Sequence, residues 1–103
     1  MEKVERLRKM QGIFWSRDAQ TLDFERDKAY IISQVLRYGS MEDIAWLKKQ
    51  YAPEILEDVF LKHPQKIYTP VAFNFVVKII LNLSDKIKID EQQYLKFSQR
   101  NLG

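Results

Sequence analysis

Residues 69–83 read Thr-Pro-Val-Ala-Phe-Asn-Phe-Val-Val-Lys-Ile-Ile-Leu-Asn-Leu, and the structure assigned to them decides the fold class. Ten of the thirteen residues 71–83 are apolar. Phe73, Phe75, Val77, Ile79, Leu81 and Leu83 alternate, as on the inward face of a strand. Asn74, Lys78 and Asn82 recur every four residues, which on a helix makes a narrow polar stripe along an otherwise buried surface. Thr69-Pro70 favours the helix, because threonine caps a first turn and proline's fixed φ suits it. The flanking segments are helical as well, so a helix is expected over 71–83 and an all-α fold for the chain.

Upstream, Pro53 opens a helix over 53–63 with Ile55, Leu56, Val59 and Phe60 inward, closed by Pro64. Before it, Ser40-Met41-Glu42-Asp43 has the form of a capping box with aspartate at the fourth position, and starts a helix over 41–51 bearing Ile44, Trp46, Leu47 and Tyr51. Residues 24–38 give the clearest helical pattern, with Asp23 as the expected cap, Ile31, Ile32, Val35 and Leu36 on one apolar face, and Tyr38-Gly39 as the stop. Residues 13–24 form a connector whose Ile13-Phe14-Trp15 run is expected to plug the core. Residues 3–11 place Val4, Leu7 and Met10 three apart, an amphipathic helix stopped at Gly12. Downstream, Ile87 and Ile89 belong to a connector, and Asp90 is expected to cap a last helix with Tyr94, Leu95 and Phe97 inward.

Five or six short helices in 103 residues share one core only by crossing repeatedly, so a compact orthogonal bundle is expected. It is read as one domain: an N-terminal helix in 1–12, a core in 13–83 and a C-terminal extension in 84–103. The chain has no cysteine, three glycines and one histidine. Disulfides, thiol catalysis, cysteine-ligated zinc and glycine-rich phosphate cradles are thereby excluded. The first residues, Met1-Glu2-Lys3-Val4-Glu5-Arg6, contain acids and precede no apolar run, unlike a secretory signal, so a cytoplasmic location is expected.

No catalytic constellation is legible, and no cofactor or metal is expected. His63 has no base partner on its helical face and sits where a helix C-terminus favours a cation. Glu54, Glu57 and Asp58 follow Pro53, where acids suit the helix dipole, and Asp58 is placed to pair with Lys62. The net charge of +3 is unevenly spread. Residues 40–61 carry five acids and two bases, whereas 62–88 carry Lys62, Lys66, Lys78, Lys86 and Lys88 against Asp85. Those lysines make a candidate basic face for phosphates, bound without sequence preference and with steep salt dependence. The pair of helices over 41–51 and 53–63 is a poor major-groove reader, since its second helix presents Glu54, Glu57 and Asp58. Aromatic residues make up 13% of the chain, more than so small a core easily covers, so some are expected on a partner surface. Phe14, Trp15, Trp46 and Tyr51 are the candidates, with Trp15 and Trp46 as anchors.

Phe14-Trp15, Leu22-Asp23, Ile31-Ile32, Val35-Leu36, Gly39, Asp43, Trp46-Leu47, Tyr51, Ile55 and Asn74-Phe75 together resemble a family of small bacterial and archaeal proteins often encoded beside nucleotidyltransferase-like toxins of the AbiEii type. The likeness covers residues 13–76. Two positions depart from it: Ala52 stands where the family tends to have glycine, which changes the turn, and Val76 where it tends to have an aromatic residue, which alters the surface a partner would meet. The resemblance implies an all-helical, antitoxin-like accessory protein with a toxin as its partner and no catalytic residues of its own. The expected function is therefore a non-enzymatic protein-interaction module. The alternatives are a small DNA- or RNA-binding regulator using the lysines, and a structural homodimer.

Overall fold

The computed structural model describes residues 2–15, 17–83 and 89–96. Five α-helices are present among them: α1 (Glu2–Lys9), α2 (Lys28–Tyr38), α3 (Met41–Gln50), α4 (Pro53–Lys62) and α5 (Pro70–Phe75). Short 3-10 turns lie at Gln11–Ile13, Ala19–Thr21 and Glu91–Gln93. No strand occurs among the described residues, and an isolated parallel bridge joins Tyr68 to Leu95. The fold is all-α.

The local signals act where they stand. Ser40 accepts the Asp43 backbone N–H at 3.1 Å and the Asp43 carboxylate accepts the Ser40 N–H at 3.0 Å, so both orphan donors of the first turn are satisfied. The turn from α2 into α3 is tight because residue 39 has no side chain: a Cβ there would lie 2.7 Å from the Val35 carbonyl oxygen. Tyr51 and Ala52 alone separate α3 from α4, both with extended backbone, and Ala52 at φ −62° needs no glycine. Thr69 accepts the Ala72 N–H at 3.2 Å and Pro70 opens α5.

Residues 71–80 are helical, as the polar stripe predicts, but not as one regular helix, and residues 81–83 fall outside it. After Phe75 the backbone widens into a π-turn over Val76–Ile80, in which the Leu81 N–H reaches the Val76 carbonyl at 2.8 Å. Asn82, at φ 51°, ends it in the left-handed region, which asparagine tolerates better than most side chains. Nor is the rest of the surface buried. Phe73, Val76, Ile80 and Leu83 face the core, but Val71 is 80% exposed, Ile79 63%, and Phe75 lies between them on the open side.

α2 is the centre of the molecule. It packs on α3, α4 and the turn at 11–13. Six successive residues, Ile31 to Leu36, are buried, so neighbours cover this helix all round and not only on the single apolar face expected. Ser33 and Gln34 are enclosed with the rest. The helix begins at Lys28, four residues later than its pattern suggests. Asp23 caps the turn before it, accepting the Glu25 and Arg26 N–H groups at 2.8 Å each.

A second centre gathers Phe60 from α4, Tyr68, Phe73 from α5 and Tyr94 after the last turn, with all four rings buried. Phe60 stacks on Tyr94 at 4.6 Å, and Tyr94 donates its hydroxyl to the Phe60 carbonyl at 2.7 Å. The last helix expected after Asp90 is only a 3-10 turn at Glu91–Gln93, fastened by Tyr68 N–H to Tyr94 carbonyl and Lys96 N–H to Tyr68 carbonyl bonds. Tyr94 and Leu95 are inward as expected, while Ile87 and Phe97 lie outside the described residues.

Candidate functional site

The four aromatic anchors do not form one surface. Phe14 is fully buried, its ring 5.9 Å from that of Tyr30. Trp15 turns the other way. It is 61% exposed and meets Tyr38 edge-on at 4.7 Å, with the Arg37 guanidinium over the same Tyr38 ring at 4.7 Å. Tyr30 and Tyr38 lie eight residues apart on α2, roughly 12 Å along its axis. Trp46 is half-buried against Phe24 at 5.9 Å. Tyr51 is buried beside the same Phe24, to whose carbonyl its hydroxyl donates at 2.9 Å.

Two of the four are thus core residues. Phe14 plugs the core as expected, whereas Trp15, expected to plug it too, lies outside it, and Tyr51 fixes the connector to the α3–α4 turn. A surface role for either is corrected by their burial. Val76, which stands where the resembled family tends to have an aromatic residue, is also fully buried, so its side chain forms no part of a partner surface. Large apolar side chains that do reach the surface are Trp15, Met41, Val71, Phe75 and Ile79.

The candidate basic face is only partly in view. Lys62, Lys66 and Lys78 are exposed, on the end of α4, the loop after it and the π-turn. Lys62 pairs with Asp58 at 3.1 Å, as their spacing predicts, with both side chains largely exposed. Lys86 and Lys88 lie outside the described residues. His63 is exposed at the C-terminal cap of α4. Glu54 and Glu57 line a cavity together with Lys48, Pro53, Leu56, Ile80 and Leu81. No group of three or more histidine, cysteine or carboxylate side chains among the described residues is disposed to hold a metal ion. No helix among them is long and apolar enough to cross a membrane.

One charged cluster, centred on Asp27, is announced by no local sequence pattern. Asp27 is only 8% exposed and is gripped from both sides. Arg17 Nη2 lies 2.8 Å from Oδ1, and Arg26 Nη2 lies 2.7 Å from Oδ2. The Arg26 Nε and the Asp23 backbone N–H complete the set at 3.1 and 2.9 Å. These hydrogen bonds and the two guanidinium charges hold the Asp27 carboxyl well below the usual carboxylate range, so it is ionised at neutral pH. The Arg17 guanidinium also lies 5.4 Å from the centre of the Tyr30 ring. The sequence carried one trace of this arrangement. Residues 10–39 hold four acids and four bases in balance, which is what internal pairing requires.

Residues 11–60 match the model of a family described as a family of unknown function, DUF6922. The matched stretch holds α2, α3 and nearly all of α4, with Trp15, Trp46, Tyr51 and the Arg17–Asp27–Arg26 cluster. No curated protein and no solved structure matches the chain.

Proposed function

We propose that this chain is a non-enzymatic protein-interaction module whose working surface is centred on Trp15. The observation that carries the reading is the contrast between two adjacent residues. Phe14 is wholly buried, while Trp15 leaves 61% of a large, rigid apolar surface in water. Burying such a ring in a partner returns several kcal/mol, by order of magnitude, at low conformational cost. Tryptophan and arginine are the residues that most often dominate binding energy at interfaces, and the Arg37 guanidinium lies 4.7 Å from the centre of the Tyr38 ring that Trp15 meets. Met41, also exposed, follows Tyr38 by three residues. The more specific version is an antitoxin-like role, in which the partner is a nucleotidyltransferase-like toxin held inactive. That version rests on the resemblance of residues 13–76 alone.

The test is capture from native cells by the tagged full chain after nuclease treatment, run beside Trp15→Ala. One protein should co-elute with the wild type in near-equal amount and be lost from the variant. Retention by Trp15→Ala removes this surface from the account. Recovery of nucleic acid alone, and only when nuclease is omitted, replaces the reading with the lysine-based one.

A structural homodimer is a second reading, favoured by the open line of Val71, Phe75 and Ile79 on α5 and the π-turn. Light scattering decides it: a mass near 12.4 kDa rules the dimer out and twice that mass supports it.

A further inference from the structure

A polar cavity of about 320 Å³ opens beside the N-terminal end of α2, with Arg17, Arg26, Asp27, Tyr30, Ser33 and Gln34 in its wall. Two guanidinium groups and one carboxylate line it, so the lining itself carries a net charge of +1, with the Asp23 carboxylate acting on Arg26 from outside it. Four donors already reach the Asp27 carboxylate, three of them at Oδ2 and Arg17 alone at Oδ1. The surplus lies with the arginines. Each guanidinium has five N–H donors, and Arg17 directs one nitrogen at Asp27. Arg26 uses Nε and Nη2 on Asp27 and Nη2 again on the Thr21 carbonyl.

Ser33 is the second and independent observation. It is 6% exposed, it lines this cavity, and its hydroxyl has no hydrogen-bond partner among the described residues. Buried hydroxyl groups are nearly always bonded, so an unbonded one that faces an open polar space is poised for a ligand atom. Gln34, almost as buried, is held in place by donating Nε2 to the Ile13 carbonyl. Ala29 and the Tyr30 ring supply an apolar portion of the wall.

We infer that this cavity is a carboxylate-binding site, with Arg17 supplying the charge and Ser33 a hydroxyl donor to a single carboxylate group. The net charge of the lining selects the ligand class. One negative charge is neutralised there, whereas a phosphate dianion is left half-compensated in a partly enclosed space. The carboxylate belongs either to a free organic acid or to an acidic side chain of a polypeptide. The site does not depend on the Trp15 surface, because a free acid satisfies it without any protein partner.

Titration of the isotope-labelled full chain at constant ionic strength tests it. The probes are acetate, a capped and amidated tripeptide with one central glutamate, and inorganic phosphate. The Arg17 and Arg26 Nε–H signals and the Ser33 and Gln34 amides should shift saturably with acetate, the peptide or both. Tighter binding of the peptide identifies a polypeptide source, and tighter binding of acetate identifies a free acid. Ser33→Ala leaves the ion pairs intact and should weaken binding about tenfold, the loss of one hydrogen bond to a charged group. Arg17→Gln should abolish saturation, with thermal unfolding confirming that the variant is folded. Shifts that stay linear, tighter binding of phosphate than of both carboxylates, or unchanged affinity in Ser33→Ala each overturn the assignment.

Discussion

Phe60 and Asp27 each stand at the centre of a side-chain knot, and the two knots are made of opposite materials. Around Phe60 are three other aromatic rings, all buried, drawn from α4, α5 and the segments on either side of them. Around Asp27 are two arginines and a backbone N–H, with a polar cavity alongside. The first is apolar, enclosed and far apart in sequence, from residue 60 to residue 94. The second is ionic, partly open and lies within residues 17–34. An enclosed aromatic knot has stability as its only evident output. An ion-pair knot beside a cavity holds charges in fixed positions where a ligand can reach them. The contrast teaches that the two ends of this small core have different work, one holding the fold and the other facing outward.

The comparison can be broken most forcefully at Phe60. Phe60→Ala removes the ring that stacks on Tyr94 and should cost about 3–5 kcal/mol in chemical denaturation. A loss under about 1 kcal/mol shows that the aromatic knot does not hold the fold. Asp27→Asn comes next in size. It leaves two guanidiniums without their shared anion, so stability at neutral pH should fall. The pH dependence identifies the cause. A carboxylate held below its ordinary value of 3.8 contributes in full above that value and loses its contribution as pH drops below it. Wild-type stability should therefore decline below about pH 4, and Asp27→Asn should lack that part of the decline.

Two tyrosines in the aromatic knot sharpen its account. Tyr94→Phe deletes the bond to the buried Phe60 carbonyl and should cost about 1 kcal/mol. Tyr68 is fully buried, and its hydroxyl has no hydrogen-bond partner among the described residues, so Tyr68→Phe should be neutral or slightly stabilising. Equal losses in the two variants contradict the hydrogen-bond assignment. Burial also pushes the Tyr51, Tyr68 and Tyr94 phenols up. Groups raised in this way contribute fully below the ordinary phenol value of about 10 and lose that contribution as pH rises past it, so alkaline unfolding should begin only above that value. The smallest effect belongs to Ser33→Ala, whose unbonded hydroxyl should change thermal stability by no more than about 0.5 kcal/mol while weakening carboxylate binding.

The parts of this molecule that were legible in its sequence are the parts decided within four or five residues. Ser40 with Asp43, Pro53, and Thr69 with Pro70 announce helix starts because a cap and a first turn are local chemistry. The Asp58–Lys62 pair is local for the same reason. What the sequence hid was decided by neighbours from elsewhere. Ser33 and Gln34 look like the wet side of α2, yet both are buried, Gln34 against the Ile13 carbonyl and both in the wall of the cavity beside Arg17. Asp27 looks like a first-turn acid, yet Arg17 reaches it from ten residues away. Tyr68 attracts no notice in a loop, yet it bridges Leu95 and touches three buried rings. The open apolar line of Val71, Phe75 and Ile79 reads as core from composition and is exposed because α5 packs by its Phe73 side alone.

The most direct test of the outward-facing end is amide hydrogen exchange on the full chain, free and in complex with the partner captured through Trp15. The account predicts new protection around Trp15 and at 37–41, with residues 68–83 and 89–95 unchanged. Protection that appears instead across 68–83 and 89–95, with 15–41 unaltered, contradicts the division of labour between the two knots.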